Sequence, residues 1–463
     1  MKSTIKNIIK YLLIYIIAVI ILFTTLVLTN KIPQKFIIDN LKESVEYYKT
    51  KSGIQRRGLN RESETLHYYA DSMLLNIMYF IDTDNATESV MEAKFYKYRF
   101  YDSNGDFIDA IEKNKETNSQ YIRYWHGSLS VLRPLMTVLN IEQIYIVFNI
   151  IFWILFILLL VILLKKYKTL AIVFIISSAM IMLHITPNCI EYIWTVLIML
   201  ITSIISLLIE KKGNKKLYAM YFLSGIITCY LDFLSTETLT ILVPVLLVIL
   251  VRYKEERING LKDVCKFLII SGLLWFAGYS LMWFAKWILA SIVLNIDAME
   301  YVKDNAMTRI NWNSKREITF NMYLKTLYKN IIKIYPLNKA FDNKNIIAVF
   351  ALILEIVILL KFISIAVQKI KKDKISKEGY IKVVLLLIAT IPYLRYIVLL
   401  NHSYYHSFFT FRAQLPSLIA IIFIMIYSID KKIRQNMFFK LDKILGKEKN
   451  NGTNKINNTN SST

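Results

Sequence analysis

Runs of about 20 apolar residues recur along this chain, and they restrict its fold more than any other feature. A run of this length can cross the hydrocarbon core of a bilayer as a helix. Hydrophobic residues fill 55% of the 463 positions, and glycine occurs only 12 times. The pattern predicts an all-α polytopic membrane protein, built as a bundle of transmembrane helices.

The positions of the apolar runs predict about ten spans. They lie near 11–29, 144–164, 169–186, 192–209, 217–231, 238–251, 267–294, 346–367, 381–400 and 413–429. The first run follows Lys2, Lys6 and Lys10 and lacks a small-residue cleavage site. We therefore interpret it as an uncleaved first span rather than a signal peptide.

The formal net charge of +23 is concentrated in short clusters between the spans. With ten spans, the clusters after spans two, four, six, eight and ten all fall on the side of the N-terminus. They include Lys165, Lys166, Lys168, Lys211, Lys212, Arg252, Lys254, Arg257, Lys371 and Lys432. The positive-inside rule then predicts a multi-pass cell-membrane protein with both termini in the cytoplasm.

Composition also limits the partners. Because the basic residues flank membrane spans, we expect the bilayer as partner and no nucleic acid. The 3 cysteines form no CxxC motif, so no metal ligand set and no disulfide framework is predicted. No P-loop or glycine-rich phosphate loop is present, which argues against a cytosolic nucleotide. We expect no cofactor, and a requirement for a divalent metal stays open.

The spans divide the chain into four parts. Residues 1–29 form the cytoplasmic N-terminus and first span, and 30–143 form an extracytoplasmic loop. Residues 144–430 form a nine-span bundle with a second outer loop at 295–345, and 431–463 form a cytoplasmic tail, disordered at its end. Apolar residues at helical spacing predict that the first loop is largely helical, and "SVMEAKF" predicts a capping box from Ser89 to Glu92.

The stretch "QYIRYWHGSLSVLRP" lies just before the second span. As a helix over 121–139, it would place Arg123, His126 and Arg133 beside an apolar face that contains Trp125 and Leu129. We predict a helix in the interface plane, kinked at Pro134, with Asn140 and Gln143 capping span two. Its cationic edge is either an interfacial anchor or a phosphate-binding surface.

Further polar residues lie on the same predicted outer face. Asp71 follows His67 by one helical turn, and Asp232 and Glu237 share a very short turn between two spans. Acids this close to a bilayer are costly unless they are paired or solvated. The alternative interpretations without a functional role are a solvated acid at Asp71, an interfacial turn at 232–237, and a first-turn helix acid at Glu191.

The last outer connection, "NHSYYHSFFTFR", contains His402, His406 and Arg412. The two histidines have the spacing of zinc ligands on a helix but lack a third ligand, so a polar substrate rim is the preferred interpretation. Arg395 lies inside span nine, and Glu355 near the middle of span eight could pair with it. Lys286 in span seven is a weaker candidate for an interior charge.

This layout resembles the GT-C superfamily of integral membrane glycosyltransferases. The resemblance covers most of the chain and lies in the first span, the long helical outer loop with an acid, and the later spans with outer polar residues. It implies sugar transfer from a polyprenyl-phosphate donor at the outer face. It also implies a general base in the first outer loop, for which Asp71 in "YYADSMLLN" is the closest candidate and Asp232 the next. Some members have an adjacent Asp-Glu pair, which is absent here.

The remaining residues fit the roles that such a reaction needs. Phosphate or substrate binding falls to Arg123, His126, Arg133, Glu237, Arg395, His402, His406 and Arg412. Two other classes of protein stay open: a carrier, flippase or polymerase for lipid-linked glycans, and a non-enzymatic membrane protein whose outer subdomain binds a partner. Convergence of the outer polar residues on one cavity would favour an enzyme.

Overall fold

The computed structural model describes residues 2–51, 54–56, 65–99, 102–310, 319–335, 337 and 377–428. The predicted span at 346–367, with Glu355, and the tail from 431 lie outside these residues. In the described part the chain is an all-α helical bundle with two very short antiparallel strand pairs. The predicted fold class is confirmed at this level.

Six described helical segments are long and apolar enough to cross a membrane, judged by length and composition. They are Ile8–Asn30, Ile141–Lys166, Ile190–Lys212, Leu261–Leu294, Gly379–Val398 and Ser407–Tyr427. Three further predicted spans coincide with helices that are shorter or more polar. These are Lys168–Met180, Asn214–Leu231 and Leu239–Lys254. The number of spans is therefore not determined by these helices alone.

The helices are numbered in chain order. They are α1 (Lys2–Asn30), α2 (Ile38–Lys49), α3 (Tyr68–Tyr79), α4 (Ala86–Glu92), α5 (Ser103–Glu112), α6 (Leu129–Leu135), α7 (Ile141–Lys166), α8 (Lys168–Met180), α9 (Ile190–Ile209), α10 (Asn214–Leu231), α11 (Leu239–Lys254), α12 (Leu261–Leu294), α13 (Ala298–Ile310), α14 (Phe320–Ile331), α15 (Lys377–Val398), α16 (Leu400–Tyr405), α17 (Ser407–Thr410) and α18 (Leu415–Ser428). Strand β1 (Ile54–Arg56) pairs with β2 (Thr65–His67), and β3 (Lys94–Phe95) pairs with β4 (Ser119–Gln120).

The interior of the bundle is arranged around α11, whose residues 239–251 are all buried. A helix that is apolar on every side fits only where other helices surround it, and α9, α10, α12 and α18 pack against this one. Helix α1 lies at the periphery and leaves many leucine and isoleucine side chains exposed. Such a face suits contact with lipid rather than water.

Helices α10 and α12 approach each other closely because both carry glycine at the contact. A side chain at Gly225 would collide with the backbone carbonyl of Trp275, and one at Gly278 would collide with that of Phe222. Small residues that let two backbones touch are typical of packing between membrane helices. This pair therefore fixes the position of the long helix α12.

Two local predictions about the first loop are wrong. The helix predicted over 121–139 exists only as α6, because His126 has a positive φ and Gly127 donates to the carbonyl oxygen of Tyr230, which bends the chain into a turn. Ser89 does not cap a helix: α4 begins at Ala86, and the Ser89 hydroxyl instead accepts from the Asp82 amide. The capping box of Asn140 and Gln143 at the start of α7 is confirmed.

The described part of residues 31–140 forms a subdomain at one end of the bundle, which we call the loop end. Arg133 donates to the carbonyl oxygens of Ile32 and Met78, so it joins the end of α1 to the end of α3. Buried Lys286 of α12 donates to the carbonyl oxygen of Met91, at a distance of 2.8 Å. These contacts hold the subdomain against the ends of the long helices.

Candidate functional site

A cavity of about 550 Å³ lies between the subdomain and the loop end of the bundle. It is partly open, and its wall combines aromatic rings with a few charged or polar groups. The lining residues are Tyr69, Ala70, Met73, Phe95, Lys97, Ser119, Gln120, Tyr121, Arg123, Tyr124, Glu191, Phe233, Tyr301, His402 and His406. Concave sites with this mixture of apolar wall and sparse polar groups are typical of small-molecule binding.

Arg123 is the guanidinium of the cavity. Its Nη2 donates to the Tyr121 hydroxyl at 2.7 Å, and its guanidinium lies over the rings of Tyr121 and Tyr124. The Trp287 indole donates to its carbonyl oxygen, which fixes the backbone against α12. Burial alone would lower the pKa of Arg123, but the neighbouring Tyr121 and Tyr124 outweigh it and raise the pKa above its ordinary value. Aromatic stacking leaves the plane of the guanidinium set in one orientation.

Glu191 is the carboxylate of the cavity and lies in the first turn of α9. Its side chain is 6% exposed, and its backbone amide donates to an Asp71 carboxylate oxygen at 3.1 Å. The sequence prediction treated Glu191 only as a first-turn helix acid. Its position beside proline and cysteine at the start of an apolar helix gave no sign that it lines a cavity.

Asp71 does not line the cavity but caps the start of α9. Its carboxylate accepts from the amides of Ile190 and Glu191 and from the Tyr145 hydroxyl, at 2.7–3.1 Å. Burial raises the pKa of Asp71 to about 6, although these donors favour the charged form. An acid at a helix N-terminus satisfies amides that have no partner within the helix. Asp71 thus positions Glu191 rather than facing the cavity itself.

His402 and His406 form the opposite wall. Helix α16 and the residue after it bring the two rings to 4.7 Å between centroids. The Nε2 of His402 donates to the carbonyl oxygen of Leu234 at 2.7 Å, because a carbonyl can only accept. That bond directs the ring and assigns the proton to Nε2. Among the described residues no cluster of metal-ligating side chains is found.

The turn at 232–237 forms the support behind this wall. Asp232 accepts from the amide and hydroxyl of Ser235, and burial together with nearby Glu237 raises its pKa to about 7. Glu237 and Arg395 make a two-pronged ion pair with distances of 2.7 and 2.8 Å. Arg395 also donates to the carbonyl oxygens of Leu234 and Ser235. Phe233 alone of this turn lines the cavity.

Besides Glu237 and Arg395, three more predicted binding residues lie away from the cavity lining. Arg133 is buried on backbone carbonyls, as described above. Burial lowers the pKa of His126 to about 3, so its ring is neutral, and Nε2 donates to the Tyr121 carbonyl. Arg412 is buried above the rings of Tyr192 and Phe411. These side chains hold the frame of the site, and no pattern in the sequence distinguishes them from Arg123.

The structure therefore brings together Arg123, His402 and His406 from the predicted set and adds Glu191. Asp232, Glu237 and Arg395 lie immediately behind the wall, and Asp71 lies behind Glu191. Comparison of the chain with protein-family models, curated proteins and solved structures gave no match.

Proposed function

We propose that the chain is a membrane glycosyltransferase that moves a sugar from a polyprenyl-phosphate donor to an acceptor in this cavity. One observation carries the proposal: a carboxylate, a guanidinium and two imidazoles from separate parts of the chain line one cavity. Two apolar helices also begin beside it, at Ile190 and Ser407. The site then lies at the depth of lipid head groups, where a lipid-linked phosphate would lie.

The proposed chemistry assigns one role to each charged group. The oxygen of the acceptor hydroxyl attacks the anomeric carbon of the sugar, and Glu191 takes the proton of that hydroxyl. The bond from that carbon to the phosphate oxygen breaks, and the polyprenyl phosphate leaves with the electron pair. Arg123 stabilises the charge that grows on the phosphate. Glu191 replaces Asp71 as the candidate base, because it is Glu191 that faces the cavity.

The proposal includes the orientation of the chain, with ten spans, both termini in the cytoplasm and the cavity on the outer side. Its support is the position of the basic clusters, whose described members Lys166, Lys211, Arg252 and Arg257 meet at the end of the bundle opposite the cavity. Clusters scattered over both ends would have argued against the positive-inside assignment.

The test uses the full-length protein in liposomes with labelled polyprenyl-phosphate sugars. Glu191→Gln removes the proton acceptor and keeps the shape, so we expect transfer to fall about 10²–10⁴-fold. Glu142→Gln is the matched control, because Glu142 also lies in the first turn of an apolar helix but is exposed. Its rate should not change.

Arg123→Ala provides a second readout. Loss of a charge-assisted phosphate contact, about 1.5–3 kcal/mol, should lower kcat/KM for the donor roughly tenfold to a hundredfold. Full activity of Glu191→Gln would remove Glu191 as the base. Movement of donor across the bilayer with no transfer to any acceptor would replace the enzyme by a carrier.

A further inference from the structure

A second cavity lies at the end of the bundle away from the first-loop subdomain, which we call the basic end. Its volume is about 270 Å³, and it is formed by the start of α10, the end of α11 and the start of α12. Arg252, Arg257 and Lys266 line it, with Asp263 as the carboxylate among its lining residues. The proposed reaction makes no use of it.

The ion pairs beside this cavity leave positive charge in excess. Buried Glu210 pairs with Lys166, Arg252 and Arg257, and Glu255 pairs with Lys211 and again with Arg257. Four cations thus share two carboxylates. Of these four cations, Arg252 and Arg257 line the adjacent cavity, and together with Lys266 they outnumber the carboxylate of Asp263 on its wall.

The two arginines are held in place before any ligand arrives. Arg252 donates to the Asn214 side chain and to the Glu210 carbonyl oxygen, and it lies over the Phe267 ring at 4.8 Å. Arg257 is anchored on Glu210 and Glu255. Fixed guanidinium groups at a concave surface are the usual recognition elements for phosphate, because little side-chain entropy is lost on binding.

We propose that the basic-end cavity binds a phosphate group, carried by an anionic lipid head group or free in solution. A phosphate matches both the charge surplus and the size of the cavity. Basic pockets between membrane helices bind lipid phosphates elsewhere by the same physics. Tyr218 and Phe267 on the cavity wall offer an apolar surface beside the charged groups, where the glycerol part of a lipid could pack.

The experiment measures lipid binding to the purified full-length protein by native mass spectrometry. The probes are phosphatidylcholine alone, phosphatidylcholine with phosphatidylglycerol, and inorganic phosphate as competitor. We expect phosphatidylglycerol to be retained in preference to phosphatidylcholine. Lys266→Ala should weaken this retention about fivefold, whereas Asp263→Asn should strengthen it. Lys262→Ala is the matched control, because Lys262 is an exposed lysine one turn away that does not line the cavity.

Each result decides the proposal. Competition by inorganic phosphate supports a site that takes any phosphate, and retention unaffected by it supports a lipid head-group site. Equal weakening by Lys266→Ala and Lys262→Ala would overturn the proposal, since attraction would then come from diffuse surface charge. No preference for phosphatidylglycerol and no phosphate competition would overturn it as well. Neither lysine replacement touches the buried ion pairs, so folding should be preserved.

Discussion

The two ends of the bundle use buried carboxylates in different ways. At the loop end, Glu237 and Arg395 pair one to one, with side chains 7% and 4% exposed. At the basic end, Glu210 is fully buried, but its partners Lys166, Arg252 and Arg257 are 22%, 13% and 33% exposed. The Glu237–Arg395 pair is therefore locked and neutral, whereas the cluster at the basic end keeps a positive surplus that reaches water.

The contrast between the two ends determines what the charges at each of them can do. Glu237 and Arg395 pair with each other and stabilise the turn behind His402. The charged side chains that line the cavity at the loop end are Arg123, Glu191 and Lys97. At the basic end the positive surplus itself is the property available for binding an anion. Buried pairs specify geometry, and partly exposed clusters specify an electrostatic surface.

The largest expected effect concerns which end faces outward. In a Cys265→Ser background, where Cys189 and Cys229 are buried, single cysteines would replace exposed Lys115 and exposed Lys215. The proposed topology predicts that a membrane-impermeant maleimide labels position 115 in intact cells. Position 215 should be labelled only after permeabilisation. The reverse pattern, or labelling of both positions in intact cells, would remove the proposed orientation.

The same substitution at the two ends should have unequal costs. Glu237→Gln leaves Arg395 buried without its counter-charge, which should lower the free energy of unfolding by about 3–5 kcal/mol. Glu210→Gln should cost only about 1–3 kcal/mol, because its three partners can turn toward water. Unfolding in detergent micelles titrated with denaturing surfactant measures both.

A double variant sharpens this test. Glu237→Gln combined with Arg395→Met removes both charges, so part of the loss should be recovered. If Glu210→Gln were as destabilising as Glu237→Gln, the contrast between a locked end and a solvated end would be incorrect. Added salt should recover part of the stability lost in Glu210→Gln, since the cations left around position 210 repel one another and salt screens that repulsion.

The positions of the helices could be predicted because they depend on the length of the apolar runs in the sequence. All nine predicted spans that fall on described residues coincide with helices, although only six helical segments meet a strict criterion of length and apolarity. Span length is a one-dimensional property, set by the thickness of the bilayer. The meeting of the basic clusters around Glu210 follows from the same alternation.

The site could be predicted only in part because it depends on side-chain direction. Arg123 and Arg133 look alike in sequence, but a turn at His126 and Gly127 sends one into the cavity and the other onto backbone carbonyls. Asp71 and Glu191 lie far apart in the chain and meet only through the cap of α9. Helical spacing assumes a regular backbone, so a left-handed residue within the stretch defeats it.

Two buried acids give the loop end a stability that depends on pH. Asp71 and Asp232 have pKa values raised to about 6 and about 7 by burial, from an ordinary value of 3.8. The folded protein thus holds these protons more tightly than the unfolded chain, so the stability that these two acids contribute is full below pH 3.8 and is lost as pH rises through their raised pKa values. For Asp71 the fall is complete near pH 6 and amounts to about 2–3 kcal/mol.

Asp71→Asn removes one of these two titrations and so separates them. In detergent, the variant should lose the decline in stability that Asp71 causes between pH 3.8 and about 6. It should keep the decline that Asp232 causes, which continues to about pH 7. Exposed Asp39, also in the first turn of a helix, supplies the control Asp39→Asn, which should keep the full profile. An Asp71→Asn profile that matches the unmodified protein would mean that the three N–H and O–H donors to this carboxylate stabilise its charge as fully as water does. The pKa of Asp71 would then be determined by the hydrogen bonds that its carboxylate accepts, and not by the cost of ionising a buried acid.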